Sequence, residues 1–162
     1  MYPLAFGLGA AVLAMVGTNI GAGQIGRAVR IAWSAGALAA AATGIVGALA
    51  MVWPQAWISL FTSAPDVAGS AATFLCIAAL GYAFIGINTM TQAFQAMGQT
   101  LWPLLAVASR AVVMIVGGWI VLRTGGGVAG LAVVTALGLA TAGGMVSTAY
   151  WIRMRGKTGA SR

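Results

Sequence analysis

The side chains best placed to do chemistry lie in one stretch, YAFIGINTMTQAFQAMGQT, residues 82–100. Asn88, Gln92, Gln95 and Gln99 are spaced i, i+4, i+7 and i+11. On a helix of ~3.6 residues per turn these amides share one face, with Thr91 at its edge. Amides and hydroxyls donate and accept hydrogen bonds without taking up or releasing protons near neutral pH. Such a row is costly against lipid, so it should meet protein or a water-filled cavity. Two readings follow: the wall of a transport cavity, or amide glue between helices. Asn88, Thr91, Gln92 and Gln95 are the cavity candidates, with Tyr82 a weaker member.

The rest of the composition excludes most other chemistry. The chain has 162 residues, 61% hydrophobic and 6% charged, where a soluble domain carries about 25% charged residues. Water could not solvate such a surface, which makes this a membrane protein. There is no histidine and one acid, Asp66, so paired-carboxylate catalysis and the commonest metal ligand are both missing. A hydrolase or metalloenzyme is not expected, and neither is a cofactor. The lone Cys76 lies in an apolar run and reads as packing. The net charge of +7 could suggest nucleic acid, but the basic residues lie mainly between and beyond apolar runs, where membrane topology explains them.

Five apolar runs position the stretch: residues 2–20, 31–61, 67–98, 101–122 and 128–152. The first opens with no basic flank and no cleavage signal, so it reads as a membrane helix rather than a signal peptide. It ends in Gly21, Gly23 and Gly26, spaced G-x-G-x-x-G. No strand precedes them and no acid follows ~20 residues on, so they read as a helix end and turn rather than a dinucleotide fingerprint. Gly36 and Gly44 in the second run, and Ala140 and Gly144 in the fifth, belong to small-residue stripes that let helices approach closely. Pro54 should bend the end of the second run or start a short interfacial piece. Ser63 and Asp66 have the spacing of a capping box at the start of the third run. Asp66 is at the wrong depth to bind a cation inside the membrane. Arg110 lies about two turns inside the fourth run and reads as a snorkelling or structural charge, or as part of a gate. Residues 153–162 form a basic tail that reads as disordered.

Placing Arg27 and Arg30 in the cytoplasm and alternating sides puts the Asp66 turn outside, the Gln99 turn inside, Arg123 outside and the basic tail inside. The tryptophans fall near the span ends, as an aromatic belt requires. The unanchored first run suggests that Met1 lies within a longer gene product.

With these features in place the chain resembles the multidrug and toxic compound extrusion (MATE) family. GTNIGAGQIGRAVR is similar to the family's loop after the second helix of a half, and LFTSAPDVAGSAATFL to its outer turn into the tenth helix. TQAFQAMGQTLWP, with Arg110 beyond it, is similar to the join between the tenth and eleventh. The resemblance implies an all-α membrane protein: five transmembrane helices, eight to twelve of a twelve-helix transporter built as two halves. It implies an antiporter in a bacterial inner membrane, exporting organic cations in exchange for sodium ions or protons. Its partners would be membrane lipids, the remaining helices and a small organic cation, with no nucleic acid. The alternatives are a lipid-linked oligosaccharide flippase of the same superfamily or an inactive truncated remnant. One departure matters. The sodium-type branch of the family carries a tyrosine and an acid in its tenth helix, which align roughly with Tyr82 and Gly86. No carboxylate stands there, so the coupling site is expected outside this chain.

Overall fold

The computed structural model describes residues 2–159, with side chains described for residues 6–65 and 67–152. The helices are α1 (Tyr2–Gly21), α2 (Ile25–Val52), α3 (Pro54–Ile58), α4 (Pro65–Ala79), α5 (Tyr82–Ile87), α6 (Thr91–Ala96), α7 (Leu101–Thr124) and α8 (Gly127–Gly159). A 3-10 turn, Asn88–Met90, joins α5 to α6, and no strand occurs among the described residues.

Glycines end three of the helices. At Gly23, φ is +73°, the Gly23 N–H donates to the Ile20 carbonyl (3.0 Å) and the Gln24 N–H to the Asn19 carbonyl (2.8 Å). This pair of bonds closes the orphan carbonyls of α1, and only glycine takes the left-handed φ without strain. Gly98 repeats the arrangement after α6, with φ +69° and the Gln99 N–H donating to the Phe94 carbonyl at 2.9 Å. Gly125 caps α7.

Prolines set two of the starts. Pro54 is the first residue of α3, so the second run is not one helix to residue 61: α2 stops at Val52 and Trp53 links it to α3. A residue before proline is pushed out of the α region, which explains the break. Pro65 opens α4, and its N-cap is Ala64 without a side-chain hydrogen bond. The Ser63 cap is therefore not formed: proline's fixed φ and missing N–H start the helix unaided. The Asp66 side chain lies outside the described residues.

The third run is also broken. The Leu80 and Gly81 N–H groups donate to the Ile77 and Ala78 carbonyls (3.3 and 3.0 Å) in a tightened turn, and α4 and the α5–α6 segment are bent by 52°. At Gly81 an added Cβ would lie 2.9 Å from Leu139 Cδ1 and 3.1 Å from Ala136 Cα, so the break is where the segment presses on α8. Three helices are long and apolar enough to cross a membrane, and the bent pair makes a fourth. α1 contributes a shorter apolar stretch, Phe6–Gly21. The backbone continues as α8 to Gly159, so that part of the expected disordered tail is helical; Met1 and residues 160–162 lie outside the described residues.

Helix directions follow from the contacts. Along the α2 seam, Gly36 meets Met90, Gly44 meets Ala83 and Gly47 meets Tyr82, an antiparallel pairing. Gly117 against Val134 and Gly130 against Val121 make α7 and α8 antiparallel. Gly81 against Leu139 and Gly143 against Phe84 make α5 and α8 parallel, as Gly9 against Gln92 and Gly17 against Ala96 make α1 and α6. Consecutive passes thus alternate in direction, independently of any charge argument.

One end of the bundle is closed by an aromatic core. Tyr150 and Phe94 are fully buried, their rings T-shaped with centroids 5.5 Å apart, and Trp33 and Trp102 pack around them. Val12, Val16, Ala28, Ala32 and Met90 belong to the same cluster. α7 is the least enclosed helix: of its residues only Ala106 is buried, so most of its surface is left to lipid or to other helices.

Candidate functional site

The amide residues sit on α5–α6, which α1, α2 and α8 enclose. The 3-10 turn changes their geometry. Three residues wound at ~3.0 instead of ~3.6 per turn rotate the chain by roughly 60° beyond a straight α-helix. Asn88 is thereby swung away from Gln92, and Gln99 lies beyond the Gly98 helix end. The continuous four-amide face expected from the sequence is split, and Gln92 and Gln95 remain together on α6.

Each member has a distinct environment. Asn88 is half-buried, and its Oδ1 is buried without a hydrogen-bond partner among the described residues. The Thr91 hydroxyl donates to the Asn88 carbonyl at 2.8 Å, so it is committed to the helix backbone. Gln92 is half-buried with its Cγ over Gly9, 2.9 Å from where a Cβ would stand. Gln95 is exposed. Gln99 Oε1 is buried and unpartnered among the described residues. Buried amide oxygens without donors are expensive in an apolar medium, so these two positions favour contact with a polar group or water.

Tyr82 stands apart from the amides. It packs against Gly47 and faces a cavity of about 770 Å3 between α2, α3 and α4. Arg110 is half-buried in α7, its methylene stem laid over Gly138 of α8, with Cγ 3.4 Å from a Cβ built there. Arg123, at the C-terminal end of α7, holds its guanidinium 5.2 Å from the Trp119 ring centre and suits the negative end of that helix.

The packing residues divide. Gly36 lies under Met90, 2.9 Å from its Cγ, and Gly44 is 3.5 Å from the Ala83 Cβ, both measured to an added Cβ. Ala140 is half-buried. Gly144 meets nothing within 4 Å; Gly143, one position earlier, carries the close contact, with Phe84 Cβ at 3.1 Å. The packing stripe of α8 is therefore rotated from the expected one toward Leu139, Ala142, Gly143, Val146 and Tyr150, all buried.

Among the described glycines the tightest point is Gly86, the position where the family resemblance would place an acid. A Cβ there would strike the backbone of Ala39 and Ala40 on α2. Backbone cannot swing aside as a flexible side chain can. The position has no room for a carboxylate as well as no carboxylate. The run of alanines at residues 39–42 of α2 was the available signal, because a Cβ at Gly86 meets the backbone of Ala39 and Ala40.

Among the described residues no group of three or more His, Cys, Asp or Glu side chains could hold a metal ion. The arrangement offers hydrogen bonds and, beside Tyr82, a largely open cavity. No curated protein and no solved structure matches the chain. The sequence model of the family described as MatE matches residues 1–120. With that match over most of its length and its bundle of apolar helices, the chain is an all-α integral membrane protein and belongs to the MatE family, whose members are transporters rather than enzymes.

Proposed function

We propose that this chain is part of a secondary antiporter that exports organic cations in exchange for sodium ions or protons by alternating access. The observation that carries the reading is the family match together with amide groups on the enclosed segment α5–α6. Gln92 and Gln95 would line the cavity from one face of α6, Asn88 and Thr91 would border it across the 3-10 turn, and Tyr82, which faces the separate space between α2, α3 and α4, would be its weakest member. In this reading α1, α2, the bent α4–α6 segment, α7 and α8 are helices eight to twelve, and a further set of helices supplies the opposite wall. The side assignments rest on Arg27 and Arg30 being cytoplasmic, in a bacterial inner membrane with a cytoplasmic C-terminus.

Cation coupling then has to come from outside these helices. The one acid is in the first turn of α4, and the contact between Gly86 and Ala39 excludes a side chain at the tenth-helix position. An exporter of cations needs a buried negative charge to attract them. The remaining helices would provide it, as in the branch of the family that keeps its aspartate in the first half.

The test is efflux. The full-length gene product, reconstituted in liposomes, should expel ethidium when a sodium or proton gradient is imposed. Absence of gradient-driven efflux refutes the antiporter reading. The flippase reading would draw on Arg110, whose stem lies over Gly138 within a span, because an anionic diphosphate would need a cation. Accumulation of a lipid-linked precursor in a deletion strain would decide for it.

A further inference from the structure

The segment that carries the amides is gripped differently on the two sides of its 3-10 turn. α5 is clamped close to its neighbours: Gly86 lies against the backbone of Ala39 and Ala40, and a Cβ built at Gly143 of α8 would stand 3.1 Å from Phe84 Cβ. α6 is a six-residue piece that side chains hold in place, the Gln92 stem over Gly9 and the Phe94 ring against Tyr150. Its far end is broken by Gly98, at φ +69°. It therefore lies between two points where the winding departs from an α-helix.

Two sets of hydrogen bonds compete for the turn. In the observed winding the Thr89 hydroxyl donates to the Gly86 carbonyl and the Thr91 hydroxyl to the Asn88 carbonyl, both at 2.8 Å. Hydroxyls bonded back along the chain in this way bend helices, and a 3-10 stretch inside a helix often marks a hinge. The same winding leaves Asn88 Oδ1 buried without a partner among the described residues. Rewinding residues 88–90 at ~3.6 per turn would rotate α6 back by roughly 60° and shorten the segment by about 1.5 Å. Asn88 and Gln92 would then be i, i+4 neighbours with Cβ atoms ~5–6 Å apart, and the Gln92 amide could donate to Asn88 Oδ1. The spacing of residues 88, 92, 95 and 99 is the spacing of that straight helix.

We propose that residues 88–90 are a torsional joint with two windings. The 3-10 form is held by the Thr89 and Thr91 hydroxyls and the α form by an Asn88–Gln92 amide pair. Switching turns α6 about its own axis while α5 stays fixed on α2 and α8. The joint exists whatever the protein carries; only its use, gathering the amides into one row or dispersing them, rests on the transport reading.

The test is electron–electron distance measurement on the full-length gene product in nanodiscs, in a Cys76→Ser background. Nitroxides attached through Gln95→Cys and either Leu38→Cys on α2 or Ile115→Cys on α7 follow α6. The pair at residues 38 and 80 reports the chain before the joint. All four positions are exposed. A group ~5–6 Å from a helix axis moves about as far in a 60° turn, so at least one pair involving residue 95 should show two distances, and the 38–80 pair one. Thr89→Val with Thr91→Val keeps side-chain shape and removes both hydroxyls, and should raise the second distance by about twofold to tenfold per hydroxyl. Thr89→Ser with Thr91→Ser keeps the bonds and should match the parent, and Gln92→Met should empty the second distance. One fixed distance for both residue-95 pairs, in the parent and in the double valine variant, with and without ethidium, overturns the proposal. So does a 38–80 distance that shifts in step with residue 95, which would mean that the whole segment tilts. Two distances in a protein without gradient-driven efflux sink the antiporter reading alone, and efflux with one fixed distance sinks the joint alone.

Discussion

Replacing Gly86 with alanine adds one methyl group at the point where α5 crosses α2. The new Cβ would fall on the backbone carbon and oxygen of Ala39 and the nitrogen of Ala40. Non-bonded carbons settle ~3.5–4.0 Å apart, so the two helices must separate by roughly an ångström or more. That gap propagates along a shared seam. Gly36 with Met90, Gly44 with Ala83 and Gly47 with Tyr82 lie on the same helix pair. A gap of ~0.5–1 Å forfeits about a quarter to a half of each dispersion contact. Overpacking costs typically about 1–3 kcal/mol, and alanine returns about 1 kcal/mol through its better helix propensity. Because the obstacle is backbone on a rigid helix, the cost should sit at the upper end, for a net loss of about 2 kcal/mol. Gly144→Ala supplies the control, because a Cβ there meets nothing within 4 Å and should leave stability unchanged or raise it by up to about 1 kcal/mol. Unfolding of both variants in mixed micelles by graded SDS gives the comparison. A Gly86→Ala protein as stable as the parent would refute the close α2–α5 crossing, and with it the claim that no coupling acid fits at this position.

Gln92→Leu should shift the range of substrates exported while membrane insertion stays at the parental level, read by efflux of several dyes beside quantitative membrane fractionation; equal loss of both would mean that Gln92 only holds α6 to Gly9 of α1. Tyr150→Phe removes a buried hydroxyl that has no hydrogen-bond partner among the described residues. SDS unfolding of that variant should show stability unchanged or raised by about 1 kcal/mol, and a drop of more than about 1 kcal/mol would show that the hydroxyl is satisfied in the membrane.

The broad fold was legible because apolar length and composition dictate membrane helices whatever they pack against. The turns were legible where glycine chemistry is local: Gly23 ends α1 as the G-x-G-x-x-G reading required. The break at Leu80–Gly81 was not. Residues 67–98 are apolar throughout most of their length, and a mean over the run cannot register a bend whose cause is Gly81 pressed on Leu139 of another helix. The same tertiary origin explains the shift of the α8 stripe from Gly144 to Gly143. Two adjacent glycines carry no sequence mark of which one faces Phe84. The amide row was read on a straight helix, and the 3-10 turn at Asn88–Met90 split it. The spacing of Gln92 and Gln95 survived because both lie on α6. The capping box at Ser63 failed to a competing local rule, Pro65 at the first helical position. The open cavity beside Tyr82 was not legible because its lining comes from several segments with no common spacing.

The account depends on α6 turning its amides toward a space that water and substrate share. In a Cys76→Ser background, single cysteines at positions 92 and 95 of the full-length protein can be challenged with a membrane-impermeant methanethiosulfonate. Both positions should label in liposomes, more slowly when ethidium is present. Positions that stay unlabelled from either side, with and without an imposed gradient, would contradict the proposed cavity wall.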